Sequence, residues 1–140
     1  MAHLLRISEA ASLALHTAVY LAACPERLVT THEVAELLGV SETHLAKVMQ
    51  RLARVGLVRS VRGPHGGFAL TRAGEQISLL EVYEAIEGPL AELRCLLGEP
   101  VCHGERCILS GLLATTSRQV HEYLAGTTLA QLTRVYGGVQ

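Results

Sequence analysis

The sequence has no run of about 18 or more apolar residues, so no segment predicts a membrane-spanning helix. Its first residues also lack the basic stretch followed by an apolar stretch that is typical of a secretory signal peptide. It contains no nucleophile elbow, phosphate-binding loop or pair of catalytic carboxylates, so it does not indicate an enzyme. These absences favour a cytoplasmic protein without membrane contact. A chain of 140 residues that is 49% hydrophobic can form about one packed domain with an appendage.

Aspartate is absent, and the charges are distributed unevenly along the chain. All 13 acidic residues are glutamate, and 11 of the 12 Lys and Arg residues are arginine, which gives a net charge of −1. Residues 43–74 carry six of these cations and no acid, whereas residues 75–105 carry seven acids. An ordinary solvent-exposed charged face is one explanation. The complete lack of acid over such a long segment instead favours a surface that contacts DNA.

The first half of the chain predicts three helices, and the second and third form a helix-turn-helix. Residues 8–23 have apolar side chains at helical spacing. Thr30 and Glu33 form the sequence signature of a capping box at the start of a short helix, which Gly39 ends. Ser41 caps the third helix after a turn of about three residues, which is the connection that a helix-turn-helix uses.

The third helix has two faces of different character. Apolar residues predict a buried stripe, and basic residues predict a second stripe on another face. The buried stripe consists of Leu45, Val48, Met49, Leu52 and Val55, and the basic stripe consists of His44, Lys47, Arg51 and Arg54. Such a helix can pack on a core and present cations to phosphates and base edges, so we interpret it as a recognition helix.

A β-hairpin, or wing, is predicted directly after the recognition helix. Residues 57–61 and 68–70 read as two strands, and the turn between them contains three glycines and a proline. We expect these glycines to let the backbone approach a DNA groove, which Arg62 would enter. A further helix is predicted over residues 78–87.

The rest of the chain predicts a loop and a long helix. We divide the chain into a DNA-binding domain (1–90), a cysteine loop (91–107) and a dimerisation segment (108–140). The long helix is predicted over residues 108–125, before a short final helix. Its apolar stripe consists of Ile108, Leu112, Thr115 or Thr116, Gln119 or Val120, and Tyr123 or Leu124, and Leu129, Leu132 and Val135 mark the final helix. This is more apolar surface than one chain needs, so we expect a homodimer.

The cysteine loop contains Cys95, Cys102 and Cys107 in the pattern C-x6-C-x4-C. Three thiolates on a loop can surround one compact centre, and iron–sulfur clusters bind such soft sulfur ligands. Zinc also accepts thiolates, but structural zinc sites usually show four protein ligands and paired C-x2-C motifs, which this sequence lacks. A thiol–disulfide switch and a loop that binds nothing are the remaining alternatives. We interpret Cys24 as a small buried side chain.

Four segments, taken together, resemble one family of transcription regulators. They are LALHTAVYLA in the first helix, HLAKVMQRLARVGLV in the recognition helix, SVRGPHGGFAL in the wing, and ISLLEVYEAIEG before the clustered cysteines. In this order they are similar to the IscR/NsrR type of iron–sulfur regulators, also called the Rrf-two family. The resemblance covers nearly the whole chain. It implies a mainly α fold in which a winged helix-turn-helix DNA-binding domain with a two-stranded wing precedes a long C-terminal dimerisation helix.

The resemblance also implies partners and a cofactor. The expected partners are a second copy of the chain and double-stranded DNA with a partly palindromic operator. Many similar regulators carry an iron–sulfur cluster, so we expect one [2Fe–2S] or [4Fe–4S] cluster in each subunit, held by the three clustered cysteines.

The candidate DNA-binding residues come from the recognition helix and the wing. The first turns of the helix are expected to enter the major groove, and later residues are expected to meet phosphates. In similar regulators a wing arginine reaches into the minor groove. The candidates are Ser41, Thr43, His44 and Lys47 at the start of the helix, Arg51 and Arg54 further along, and Arg62 and His65 in the wing.

The fourth ligand is where this chain departs from the better-known patterns. One pattern has a histidine three residues after the third cysteine, where this chain has Ser110. Another uses an acidic residue early in the first helix of the partner subunit, where this chain has Ser12. His16 lies one turn beyond Ser12 and is our candidate, with Glu9 and His103 as alternatives. A hydrogen-bonded histidine at the dimer interface would equally explain His16.

These features predict a DNA-binding transcriptional repressor. It would sense cluster status, redox state or nitric oxide through its iron–sulfur cluster. The alternative is a cluster-free regulator of the same fold that acts by thiol chemistry, zinc or a partner protein.

Overall fold

The structure is a computed structural model that describes residues 4–138. Residues 1–3 of the predicted DNA-binding domain (1–90) and residues 139–140 of the predicted dimerisation segment (108–140) lie outside the described residues. Residues 4–138 form five α-helices, two strands and two short 3-10 helices. The helices are α1 (Glu9–Ala23), α2 (Thr31–Leu38), α3 (Glu42–Arg54), α4 (Leu79–Glu87) and α5 (Leu112–Gly126); the strands are β1 (Val58–Val61) and β2 (Gly67–Leu70); the 3-10 helices are Gly74–Gln76 and Leu129–Leu132. No helix in this part of the chain is long and apolar enough to cross a bilayer.

Helix α1 lies at the centre of the core. It begins where Ser8 Oγ accepts the amide of Ala11, and it contacts α3, α4, β2 and the second 3-10 helix. Ala11, Ala14 and Ala18 are almost completely buried, and their small side chains let these elements approach the backbone of α1 closely. The packing of residues 9–87 is therefore built around the first helix.

The helix-turn-helix forms as predicted. Thr30 Oγ1 accepts the amide of Glu33, Gly39 takes a left-handed conformation (φ 65°), and Ser41 Oγ accepts the amide of His44. The predicted buried stripe of α3 is confirmed at four positions, Leu45, Val48, Met49 and Leu52. It is wrong at Val55, which is 53% exposed because α3 ends at Arg54 and the chain turns away from the core.

The wing is a two-stranded antiparallel hairpin in which Val58 faces Leu70 and Val61 faces Gly67. Its second strand also pairs with the loop before α2, because Val29 and Phe68 exchange two backbone hydrogen bonds of 2.9 and 2.8 Å. Strand β2 is thus hydrogen-bonded to β1 along one edge and to the loop before α2 along the other, which attaches the wing to the core.

Two glycines of the wing turn are required by the packing of the turn itself. A Cβ on Gly66 would lie 2.1 Å from the carbonyl oxygen of Val61, and a Cβ on Gly67 (φ 153°) would lie 2.7 Å from that of Val29. Gly66 therefore allows the turn to close on its own backbone, and Gly67 allows the start of β2 to approach the loop before α2. At Gly63 a Cβ would meet open space.

Helix α4 follows its prediction closely. It is capped by Ser78, whose Oγ accepts the amide of Glu81, and its inward residues Leu79, Val82, Tyr83 and Ile86 are all buried. Gly88 ends it, and residues 88–111 contain neither helix nor strand. This segment includes the whole cysteine loop.

Helix α5 begins four residues later than predicted. Ser110 (φ 49°) and Gly111 (φ 82°) both have left-handed backbone conformations, so residues 108–111 form a turn. Ile108 is therefore not part of the helical stripe and is 80% exposed. Leu113 and Ser117 are buried, whereas Leu112 and Tyr123 are exposed.

The C-terminal segment folds back on the start of α4. Leu79 donates its amide to the carbonyl of Thr127, and Leu129 donates to that of Ile77, both over 2.9 Å. Leu129 is fully buried, but Val135, predicted as part of a final apolar face, is 62% exposed because the 3-10 helix ends at Leu132.

Candidate DNA interface and cysteine loop

The recognition helix and the wing present the candidate DNA-binding residues on the surface. Leu45, Val48, Met49 and Leu52 anchor α3 on the core, which directs the opposite face to solvent. Seven of the eight candidates are exposed and His44 is half-buried; the exposed ones are Ser41, Thr43, Lys47, Arg51, Arg54, Arg62 and His65. Arg59 on β1 is also exposed and was not among the candidates.

One cation of the α3 stripe is tied to the core. Nη2 of Arg51 donates to the carbonyl oxygen of Ile86 over 2.8 Å, near the end of α4. A helix leaves its last carbonyls without intrahelical partners, and these carry partial negative charge. The guanidinium therefore connects the recognition helix to the end of α4, although the residue as a whole stays exposed.

A histidine that the sequence analysis missed lies beside the start of α3. His32 Nδ1 is 3.1 Å from Oε2 of Glu42, and its Nε2 is 3.7 Å from Oε1 of Glu36. The hydrogen bond with Glu42 raises the pKa of His32, and the charge of Glu36 adds to the effect. Protonated His32 would offset the carboxylate that immediately precedes the acid-free segment. The contact joins two helices, so no local pattern reveals it.

The three cysteines of the loop face one small apolar cavity. It has a volume of about 40 Å³, and Cys95, Cys102 and Cys107 line it together with apolar side chains such as Leu97 and Leu113. Cys102 is exposed and the other two thiols are half-buried. The loop therefore brings together the residues that the C-x6-C-x4-C pattern singled out.

Two of these sulfurs accept backbone hydrogen bonds. The amide of Leu97 donates to Sγ of Cys95, and the amide of Leu109 donates to Sγ of Cys107, both over 3.4 Å. Amide donors favour sulfur that carries negative charge, and hydrogen bonds of this kind adjust the potential of iron–sulfur centres.

The candidates for a fourth ligand lie elsewhere. His16, Glu9 and His103 are exposed, and none of them lines the cysteine cavity. His16 lies instead at an apolar groove formed by α1 and the C-terminal segment. Across residues 4–138, no three His, Cys or Glu side chains come close enough together to hold a metal ion.

His16 has one ring nitrogen already bound. Its Nδ1 lies 2.7 Å from the carbonyl oxygen of Ser12, an atom that can only accept, so Nδ1 carries the proton. In the neutral ring this leaves the lone pair on Nε2. A metal-binding histidine usually donates its other nitrogen in this way.

This architecture defines a class of protein. An α3 that docks through an apolar face and exposes cations, followed by a two-stranded wing, is the arrangement of a winged helix-turn-helix regulator that binds DNA. The sequence profile of the Rrf2 family, described as an iron-dependent transcriptional regulator, matches residues 7–135. The chain belongs to this family and is a transcriptional regulator, not an enzyme. The predicted family and fold are thereby confirmed.

Individual relatives are consistent with this assignment. A protein of Azotobacter vinelandii named as an HTH-type transcriptional regulator, ORF2, is 37% identical over 105 residues, which are 74% of this chain and 63% of that protein. The HTH-type transcriptional regulator IscR of Erwinia tasmaniensis is 34% identical over 100 residues, which are 71% of this chain and 61% of IscR. The chain therefore spans less than two thirds of the length of either relative.

A solved structure has the same fold along its whole length. CymR, the global cysteine regulator of B. subtilis, superposes with a TM-score of 0.79 at 27% identity, covering 94% of this chain and 98% of CymR.

Proposed function

We propose that this regulator is a homodimeric repressor whose affinity for a partly palindromic operator responds to an iron–sulfur cluster held by Cys95, Cys102 and Cys107. The observation that carries the proposal is the shared cavity of the three thiols, which lies in the segment between the DNA-binding half and α5. The family description as an iron-dependent regulator supports the same conclusion.

On the DNA side, α3 would enter the major groove of each half-site. Thr43, His44 and Lys47 then face base edges, while Ser41 and Arg54 lie where phosphates pass. Arg62 and His65 at the wing turn would address the neighbouring minor groove or its phosphates.

On the cysteine side, the donor set suits an iron–sulfur cluster because three soft sulfur ligands line one apolar cavity. When bound, such a cluster supplies a centre whose state depends on oxidants, nitric oxide and iron supply. The amides of Leu97 and Leu109 would donate to two of the ligating sulfurs.

His16 is the proposed fourth ligand, contributed by the partner subunit. Its Nδ1–H is held by the carbonyl of Ser12, which leaves Nε2 to bind metal. His16 does not line the cysteine cavity of its own chain, so contact with the cysteines of a second copy is the geometry that would use it. Glu9 and His103 are the alternatives.

Communication between the two sites would follow from their order in the chain. Drawing the three thiolates around one centre orders residues 91–107, and these connect the end of α4 to the start of α5. A small rotation of the two DNA-binding halves is sufficient to change affinity, because the spacing of operator half-sites is set by geometry.

The test is anaerobic purification and cluster reconstitution of the full chain, followed by visible and Mössbauer spectroscopy and iron analysis. We expect coloured protein with cluster iron and sulfide in each subunit, and a His16→Ala variant with altered spectra. Colourless, iron-free protein with its thiols intact would overturn the cluster proposal while leaving DNA binding untouched.

A cluster-free regulator is the second candidate. It is favoured by the observation that the three thiols line one cavity without lying within metal-binding distance of one another, as is true of every set of three ligating side chains within residues 4–138. The likeness to a protein titled a global cysteine regulator favours it as well. Cys102→Ala separates the two proposals. If a cluster is the sensor, the variant loses the iron-dependent change in DNA affinity, and if the regulator is cluster-free, iron has no effect on either protein.

A further inference from the structure

The hydrogen bond between Arg51 and Ile86 joins two regions that the proposed function keeps separate. Arg51 lies on the exposed face of the recognition helix, and Ile86 lies near the end of α4, just before the cysteine loop begins. The distance of 2.8 Å is that of a well-formed hydrogen bond.

The end of α4 is organised by further hydrogen bonds to Glu84, two residues before Ile86. Gly88 donates its amide to the carbonyl of Glu84 over 3.0 Å, and Leu90 donates its amide to the Glu84 carboxylate over 2.7 Å. A displacement of the Ile86 carbonyl would therefore be felt at Gly88 and Leu90. These residues lead directly into the cysteine loop.

A guanidinium has five N–H donors, and the bond to Ile86 uses one of them. The remaining donors are free to meet phosphates if α3 occupies a major groove. The positive charge of Arg51 is also attracted to the end of α4, because the last carbonyls of a helix carry partial negative charge.

We propose that Arg51 is a positioning residue that bridges a DNA phosphate and the end of α4, so that DNA binding and the state of the cysteine loop influence each other. This inference rests on the proposed DNA interface but not on the identity of any metal centre. By linkage, DNA binding and the binding of a ligand to the cysteine loop would change each other's affinity by the same factor.

Arg54 provides the matched control. It lies three residues further along the same basic face and is exposed, and its side chain makes no hydrogen bond to any residue within 4–138. Arg51→Met and Arg54→Met remove the same charge and keep a comparable apolar stem. Only the first removes the hydrogen bond to α4.

The experiment measures amide hydrogen exchange at Gly88 and Leu90 in the metal-free full chain, with and without a saturating mixed-sequence duplex of about 30 base pairs at about 50 mM salt. In the natural protein we expect DNA to slow exchange at these amides by about three- to tenfold, the factor that corresponds to one hydrogen bond. Arg51→Met should bind more weakly but lose this change at saturation. Arg54→Met should bind more weakly and keep it, and Arg51→Lys should restore part of it.

Each other outcome has a definite meaning. A full DNA-induced change in saturated Arg51→Met, or no change in the natural protein despite binding, overturns the proposal. Absence of salt-dependent DNA binding by the natural protein refutes the proposed interface itself and the bridge with it. Thermal unfolding of each variant shows whether a loss at Gly88 and Leu90 reflects general destabilisation.

Discussion

Glu33 is held by two donors that come from outside its own helix. Tyr20 donates to Oε1 over 2.6 Å, and Arg27 Nη1 donates to Oε2 over 2.9 Å. The bond from Arg27 lowers the pKa of Glu33 despite partial burial, and burial raises the pKa of Tyr20. This cluster joins α1 and α2 through the loop between them.

The lowered pKa predicts an acid-sensitive contribution to stability. A depressed carboxyl pKa stabilises the fold at pH values above 4.5, the ordinary value, and the contribution is lost as the pH falls through the lower folded value. Glu33→Gln should lower the free energy of unfolding by about 1 kcal/mol at pH 7 and by less near pH 3. The figure is kept small because the Glu33 side chain is about one third exposed. Urea unfolding across this range measures it. Exposed Glu26→Gln is the control, and an equal loss at every pH would contradict the argument.

The four cysteines should differ in reactivity. Burial raises the pKa of the Cys24 thiol, against the opposing charge of Arg27, whereas Cys102 is exposed. In metal-free protein at pH 8 we expect iodoacetamide to label Cys102 first and Cys24 last. Mass spectrometry of peptides after timed quenching measures the order, and early labelling of Cys24 in folded protein would contradict it.

At the level of elements, the wing depends on close packing of its turn. Gly66→Ala places a Cβ against the carbonyl of Val61, so the turn must open. We expect a loss of about 1–3 kcal/mol, seen as a drop in melting temperature of several degrees. Gly98→Ala, which meets no neighbouring atom within 4 Å, should melt like the natural protein. Equal melting temperatures for the two variants would contradict the packing argument.

The position of Arg62 at the wing turn predicts an electrostatic role in DNA binding. Arg62→Ala should weaken binding and reduce the dependence of log affinity on log salt by about one unit for each phosphate that the variant no longer neutralises. Arg94→Ala, an exposed arginine that lies 3.4 Å from Glu92 outside the proposed interface, serves as control. Fluorescence anisotropy titrations at several salt concentrations measure both, and an unchanged slope for Arg62→Ala would remove the wing from the interface.

For the molecule as a whole, the outer face of α5 predicts a second copy. Leu112 and Tyr123 are 57% and 59% exposed, and they lie on one side of the helix, away from buried Leu113 and Ser117. Ile108 in the preceding turn is exposed as well. Large apolar side chains exposed along one face of a helix are typical of a protein interface.

A charge on this face should separate the subunits. Tyr123→Glu is expected to sediment as a monomer and to bind a palindromic operator about 100-fold more weakly, because each half-site must then be bound independently. Ala125→Glu adds the same charge on the opposite side of α5 and should remain dimeric. Sedimentation velocity together with anisotropy measures both properties, and a dimeric Tyr123→Glu would place the interface elsewhere.

The predictions from sequence succeeded where the signal is local. Ser41 caps α3, Gly39 ends α2, and Ser78 caps α4, since each depends on residues within one turn. They failed at the start of α5, because the left-handed backbone at Ser110 and Gly111 interrupts an apolar periodicity that continues into the preceding turn. The assignments of individual DNA-contacting residues and of the iron–sulfur cluster stay predictions.

The capping box predicted at the start of α2 forms only in part, because one of its two hydrogen bonds is replaced by contacts with residues outside α2. Thr30 accepts the amide of Glu33 as the signature requires, but the Glu33 carboxylate bonds to Tyr20 and Arg27 instead of returning to Thr30. A charged donor and a buried hydroxyl from another helix compete better for the carboxylate than a solvated amide does.

By itself, the sequence determined the helices, the wing, the acid-free basic segment and the family, because apolar periodicity, caps and charge blocks are properties of neighbouring residues. Only the tertiary structure decided which distant groups meet: Arg51 with Ile86, Glu33 with Tyr20, and three thiols around one cavity. These contacts depend on how separate elements pack. A hydrogen bond or a shared cavity requires distances of a few ångströms, which spacing along the chain does not encode.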